Sequence, residues 1–223
     1  QRLHELYPES VLTCAAGISP SGPIHFGNFR EIATAYQVQK ELQKLGRETR
    51  LLMSFDDFDR FRKVPKGLDA SYKEHIGKPL SALPDPTGEH ESYAAIFEQQ
   101  FVEAMDKLGI EVDFKYQTEM YQSGAYDEYL KLAMQKRGEI ADILIANMTD
   151  IAIEEKGLDV AEYRETFYPI TVYSSFTGKD ATEILDYDGD STITYRCKIT
   201  DQTETIDFTK THIVNSCIAK ISF

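Results

Sequence analysis

Short apolar runs alternate with amphipathic stretches from Val11 through Tyr116. Val11 to Ala16 reads as a fully buried strand. Asn28 to Leu45 carries Phe29, Ile32, Ala33, Tyr36 and Leu45 on or near one helical face, with Gly46 as its C-terminal cap. Leu51 to Phe55 reads as a second buried strand, so these elements make a βαβ unit whose two strands lie parallel in one sheet. A second amphipathic helix is predicted over Glu91 to Leu108, with Ile96, Phe97, Phe101 and Leu108 in the core. A third parallel strand is predicted over Ile110 to Tyr116.

Between them, Asp56 to about Glu89 is polar and interrupted by prolines and glycines, which predicts a long, ordered, functional loop. Gly124 to Gly157 reads as one long helix or two shorter ones broken near Gly138. The pattern then changes. Phe167 to Phe208 is rich in Thr, Tyr, Ile and Val, with turn signals at Gly178 and Asp188-Gly189. Strands over Thr182 to Asp186 and Thr192 to Cys197 are predicted to pair antiparallel across that turn. The chain therefore reads as α/β, with residues 1–166 as one region and residues 167–223 as a small antiparallel β module.

The junction between the first strand and the first helix carries the chemistry. Gly17-Ile18-Ser19-Pro20-Ser21-Gly22-Pro23-Ile24-His25-Phe26-Gly27-Asn28 sits where an open α/β sheet binds ligands. A helix N-terminus there presents unpaired N–H groups and a positive dipole end to phosphate. Gly22 and Gly27 carry no Cβ to hold a ligand off the backbone. His25 adds a side-chain donor, although a histidine that merely caps the helix explains the same pattern.

Asp56 and Asp57 follow directly on the second strand's C-terminal end, where ligand crevices open. They are candidates for holding an ammonium group. Turn capping is the alternative. Arg62, Lys63 and Lys66 form a short basic patch in an acidic chain, either for phosphates or simply for solvent.

Composition narrows the function classes. With 42% hydrophobic residues and 11% aromatics, the chain is globular. Its net charge of −13 argues against a broad electrostatic platform for nucleic acid. No apolar run approaches the ~20 residues that span a bilayer. Three scattered cysteines, Cys14, Cys197 and Cys217, make no disulfide framework and point to a reducing cytoplasm.

His25-Phe26-Gly27-Asn28 resembles the His-Ile-Gly-His signature of class I aminoacyl-tRNA synthetases. The motifs that follow sharpen the likeness: Asp56-Asp57-Phe58-Asp59, Arg62-Lys63-Val64-Pro65-Lys66-Gly67, Tyr72 to Leu80, Pro84-Asp85-Pro86 and His90-Glu91-Ser92-Tyr93. In that order they resemble the N-terminal catalytic region of class I lysyl-tRNA synthetase, from about Val11 to about Phe208.

The resemblance implies a Rossmann-like parallel sheet with an inserted β module, and a lysine–tRNA ligase that uses ATP with Mg²⁺, lysine and tRNA(Lys). It implies that His25 and Asn28 stabilise phosphoryl charge, and that Pro20, Ser21, Gly22 and Gly27 border ATP. Gly17, Ser19, Asp56 and Asp57 would hold the amino acid, while Arg62, Lys63 and Lys66 would meet phosphates of ATP or of the tRNA acceptor end.

Two departures stand out. The family's Lys-Met-Ser-Lys-Ser-type loop and anticodon-binding region do not occur in the sequence, so the chain is expected to be incomplete or inactive by itself. The alternatives are an ATP- and lysine-binding protein without ligase activity, and a tRNA-independent nucleotidyltransferase. The β module resembles a zinc-bearing ribbon with paired Cys-x-x-Cys knuckles. Here those knuckles read Ser174-Ser175-Phe176-Thr177 and Cys197-Lys198-Ile199-Thr200. Cys197, His212 and Cys217 match no common zinc spacing, and no metal is expected.

Overall fold

The computed structural model describes residue 6 and residues 10–149, 157–210 and 218–221. His212 and Cys217 lie outside the described residues. Two compact units divide the chain, residues 1–119 and residues 120–223. The helices after Met120, grouped with the first region on sequence grounds, fall within the second unit.

The first unit is built on three parallel strands, β1 (Leu12–Ile18), β2 (Thr49–Phe55) and β3 (Asp113–Tyr116), in the order β1-β2-β3. Leu12 pairs with Thr49 and Ile18 with Phe55, while Leu52 to Phe55 pair with Asp113 to Tyr116. Helix α1 (Phe26–Lys44) crosses from β1 to β2, and α2 (Tyr93–Leu108) precedes β3. Both helices pack on one face of the sheet. Ile32 and Ala35 of α1, with Phe101 and Met105 of α2, bury Cys14, Ile18, Leu51, Met53 and Phe55.

No described element of this unit packs on the other face. Thr13, Ala15 and Gly17 are exposed, and Arg50, Asp113 and Lys115 form ion pairs across it. β1 and β2 are thus buried on alternate residues, not throughout as their apolar runs predict. A fully covered parallel sheet is the common case, so the sequence carries the signature of a face that this unit leaves open.

Helix ends explain two further differences. Leu45 and Leu108, predicted as core, are 77% and 56% exposed because each closes the last turn of its helix. Gly109 ends α2 in a left-handed conformation (φ 65°) that donates back to Asp106 and Met105.

The stretch between β2 and α2 is more than a loop. It holds two 3₁₀ turns, Ala70–His75 and Leu80–Ala82. It also has its own small core, in which Phe61, Tyr72, Leu80 and Leu83 pack on Tyr93, Ala94 and Phe97. A closed ring of hydrogen bonds fixes its far end. Asp85 accepts from the backbone N–H groups of Thr87, Glu89 and His90 and from the Thr87 hydroxyl, at 2.6–2.8 Å. Burial alone would raise the Asp85 carboxyl, but these donors hold it well below the usual carboxylate range.

After α3 (Gln117–Gln122) come α4 (Asp127–Gln135) and α5 (Arg137–Ala146), which are separated at Lys136. These are the two shorter helices expected, with the break near Gly138. Arg164 of α6 (Val160–Thr166) makes a two-pronged pair with Asp142 at 2.6 and 3.0 Å. Beyond it, β5 (Thr182–Tyr187) and β6 (Thr192–Cys197) form the expected hairpin, and β7 (Thr203–Asp207) extends it to three antiparallel strands. A separate antiparallel pair joins β4 (Ile170–Tyr173) to β8 (Ile218–Ile221). The sequence patterns foretold neither β7 nor this pair. No helix among the described residues is long and apolar enough to cross a membrane.

Candidate functional site

The carboxyl ends of β1 and β2 meet through one hydrogen bond, from Asp56 N to Ile18 O at 2.8 Å. The chain leaves β1 at Ser19, turns through the buried Pro20, and enters α1 at His25. The turn is pinned from α2, where the Tyr93 hydroxyl donates to Ser21 O at 3.1 Å.

His25 is the N-cap of α1. Its Nδ1 accepts from Gly27 N at 3.1 Å, and its own N–H donates to Asn28 Oδ1 at 3.1 Å. The two polar residues of the signature therefore cap the helix reciprocally. Capping and ligand binding are compatible here. With Nδ1 accepting, a neutral ring carries its proton on Nε2. Asn28, whose oxygen is spent on the cap, has its amide Nδ2 as its donor. No acidic residue occupies the first turn of α1, so the positive end of the 19-residue helix is not neutralised from within.

Gly27 has a steric task. A Cβ built there would lie 2.9 Å from His25 Cε1 and 3.0 Å from Nδ1, so only glycine lets the imidazole fold over the first turn. Gly22 differs: a Cβ there would meet nothing within 4 Å. Gly17, exposed at the end of β1, sits beside Ser54 of β2 at ordinary contact distance.

A cavity of about 270 Å³ opens beside this turn, lined by Ser19, Ser21, Asp59, Arg60, Arg62 and Lys63 among others. It brings the strand exit together with Arg62 and Lys63 of the basic patch, and its lining holds two hydroxyls, three cationic side chains and the Asp59 carboxylate. Lys66 is exposed and does not line it.

The two aspartates diverge. Asp57 is only 4% exposed and accepts Thr118 N at 3.0 Å, while its backbone carbonyl accepts Ser81 N at 3.0 Å. It ties the end of β3 to the 3₁₀ turn and serves the fold. Asp56 is half-buried at the sheet's carboxyl edge. There Gln117 donates to Ser54 Oγ at 2.7 Å, and Ser54 Oγ lies 3.5 Å from Asp56 Oδ1. Ser54 and Gln117 were not singled out from sequence. The partnership spans 63 residues, and only the β2–β3 register creates it.

Glu98 was also missed. It lies 9% exposed on the apolar face of α2, and its Oε1 has no hydrogen-bond partner among the described residues. Burial first, then the charges of Asp57 and Glu119, push its carboxyl up to about 8. The signal was legible as a lone carboxylate in the stripe Ala94, Phe97, Glu98, Phe101, Met105.

In the second unit, Cys197 is fully buried. Burial would raise its thiol. Hydrogen bonds from the Ser174 hydroxyl, from Thr200 and from the Ile199 backbone outweigh that and lower it to about 6. No three His, Cys, Asp or Glu side chains gather as a metal site among the described residues.

A strand-to-helix turn capped by a His-x-Gly-Asn box, followed by a basic cavity, is what known proteins can be compared against. The profile of the family described as "tRNA synthetases class I (K)" matches residues 2–220. The chain belongs to this class I synthetase family. Relatives of the family agree along most of the sequence. Lysine–tRNA ligase of Pyrococcus horikoshii is 42% identical over 185 residues, covering 82% of this chain and 33% of that protein. The Streptomyces coelicolor lysine–tRNA ligase is 39% identical over 217 residues, covering 86% and 37%. That of Treponema pallidum is 33% identical over 195 residues, covering 83% and 34%. The chain thus spans about a third of the length of the curated relatives it matches. The three parallel strands and inserted antiparallel sheets are those of a class I synthetase Rossmann-like catalytic fragment.

Proposed function

We propose that the β1–α1 turn and its cavity form part of a site that activates lysine with ATP, in the service of lysine–tRNA ligation. In such a reaction a lysine carboxylate oxygen attacks the α-phosphorus of ATP. The bond to the bridging oxygen breaks, and pyrophosphate leaves with the electron pair. Charge builds on the phosphoryl oxygens, and fixed donors aimed at that charge are what a protein contributes. His25 Nε2–H and Asn28 Nδ2, at the positive end of α1, are such donors. Ser21, Arg62 and Lys63 would steady the phosphates, with Lys66 at the approach. Mg²⁺ would enter with ATP. Pro20, Gly22 and Gly27 would border the nucleotide. Gly17, Ser19 and Asp56 would receive the amino acid, with Asp57 holding the frame beneath it. tRNA(Lys) is the acceptor this reading implies, and the cytoplasm its compartment.

The observation that carries the proposal is the reciprocal cap between His25 and Asn28 over a glycine that the imidazole itself requires. A cap alone does not need a histidine, since Ser, Thr, Asp or Asn cap better. A second reading is ATP and lysine binding without ligation. Lysine-dependent exchange of pyrophosphate into ATP, with and without added tRNA, tests both. Analogue binding without exchange supports the second reading. Exchange indifferent to tRNA would point to a nucleotidyltransferase. Absence of ATP-analogue binding would overturn the proposal.

A further inference from the structure

Four positions of the β module, 174, 177, 197 and 200, correspond to the paired knuckles of the zinc ribbon that this region resembles. They hold one thiol and three hydroxyls. A structural zinc site takes four nitrogen or sulfur ligands, so these residues do not fit the ion.

The two turns nevertheless share two backbone hydrogen bonds and a left-handed residue. Ser174 N donates to Lys179 O at 2.9 Å, and Cys197 N donates to Gln202 O at 2.8 Å. Gly178 N donates back to Ser174 O at 2.7 Å, and Asp201 N to Cys197 O at 2.8 Å. The fifth residue is left-handed in both, Gly178 at φ 68° and Asp201 at φ 59°. Asp201 is the one non-glycine residue with positive φ among those described. Such a conformation is disfavoured for a residue with a Cβ and persists only where its surroundings impose it.

The turns converge on one sulfur. The Ser174 hydroxyl, the hydroxyl and N–H of Thr200 and the Ile199 N–H are the donors that lower the Cys197 thiol. The Thr177 hydroxyl lies 3.9 Å away. All three hydroxyl positions thus reach the position that kept its cysteine. Ser175 reinforces the first turn from outside. Its hydroxyl donates to Glu204 at 2.5 Å, and the Tyr195 hydroxyl donates to the same oxygen at 2.6 Å.

We propose that these are zinc knuckles in which hydrogen bonds centred on Cys197 have replaced the ion. The module folds without metal, yet its backbone still frames a four-ligand site that thiolates at positions 174, 177 and 200 would restore. The inference stands apart from lysine activation and can fail independently of it.

The test uses the whole chain. Wild-type protein purified without chelators is assayed for zinc and melted with and without EDTA. No stoichiometric zinc and superimposable melts are expected; one zinc per chain, or a melt lowered by EDTA, overturns the proposal. The triple variant Ser174→Cys/Thr177→Cys/Thr200→Cys is then titrated with Co²⁺. One equivalent should bind with thiolate charge-transfer and tetrahedral d–d bands, and Zn²⁺ should displace it. Adding Cys197→Ser to the triple variant should abolish those bands, which excludes the remaining cysteines as the ligands. A triple variant that takes no Co²⁺, whether folded or not, shows that the frame has not been kept. Cys197→Ala in the otherwise unchanged chain should lower the melting temperature, and an unchanged melt would sink the claim that hydrogen bonds at this sulfur do the ion's work.

Discussion

The imidazole of His25 occupies the space that a methyl group on Gly27 would need, 2.9 Å from Cε1. Ring and glycine therefore act as one unit. Gly27→Ala gains about 1 kcal/mol of helix propensity and displaces the ring, losing a cap of similar worth. Stability should change by less than ~1 kcal/mol, while ATP-analogue affinity falls about tenfold, ~1.4 kcal/mol. Titration calorimetry on the single and double variants checks this. In a His25→Ala background, Gly27→Ala should cost no further affinity.

Capping and binding by His25 separate in His25→Asn. Asparagine is a strong N-cap, so the melt should stay within about 0.5 kcal/mol of wild type. Analogue affinity should nevertheless drop by about tenfold or more, ~1.4 kcal/mol. His25→Ala should lose both. Unchanged affinity in both variants would falsify the assignment of this side chain to the nucleotide.

The aspartates should respond in opposite ways. Asp57→Ala strands the half-buried Thr118 N–H and should cost about 1–3 kcal/mol of stability. Asp56→Ala should fold normally and weaken lysine binding by about tenfold, ~1.4 kcal/mol. Denaturation and lysine titration of the two variants measure both. The reverse pattern would reassign the pair.

Glu98 makes stability depend on pH. Its folded carboxyl titrates near 8, above the ~4.3 of an unfolded glutamate. Between those values the folded state holds the extra proton, so this group lowers stability as pH rises, with the full loss reached above about 8. Glu98→Gln mimics the protonated form. The melting temperature of the variant minus that of wild type should climb from pH 5 to pH 8 and then level off, at a gain of a few degrees. A difference flat across that range would show that Glu98 is ionised throughout.

Charging of tRNA by this chain alone should be slow. Arg62 and Lys63 would steady the phosphates, but the 223 residues carry no Lys-Met-Ser-Lys-Ser-type loop to clamp them during displacement, and loss of such a clamp costs on the order of 10³-fold. The chain's −13 charge also disfavours tRNA. Aminoacylation is measured with the chain alone and with the remainder of a full-length relative added. Rapid charging by the 223 residues unaided would contradict this.

The strand exits and the His-x-Gly-Asn turn were legible because local periodicity and a few small residues encode them. The different surroundings of Asp56 and Asp57 were not. They depend on Thr118 and Gln117, which reach the site only through the register of β3. Phe61, Tyr72, Leu80 and Leu83 read as loop residues because a core built on irregular backbone has no period to detect. The open face of the sheet was hidden for another reason: Ala15 and Leu52 look like core, and no short-range pattern says whether a second layer covers them.

Strand order also sets a clock. β2 is hydrogen-bonded on both sides, to β1 and to β3, while β1 and β3 each have one ladder partner among the described residues. In heavy water, the amides of Leu51 to Phe55 should be the last of the three strands to take up deuterium, because releasing them means parting both ladders at once. The turn that carries His25 hangs from the outer strand, so the part of the molecule assigned to ligands sits on the sheet's faster-breathing margin.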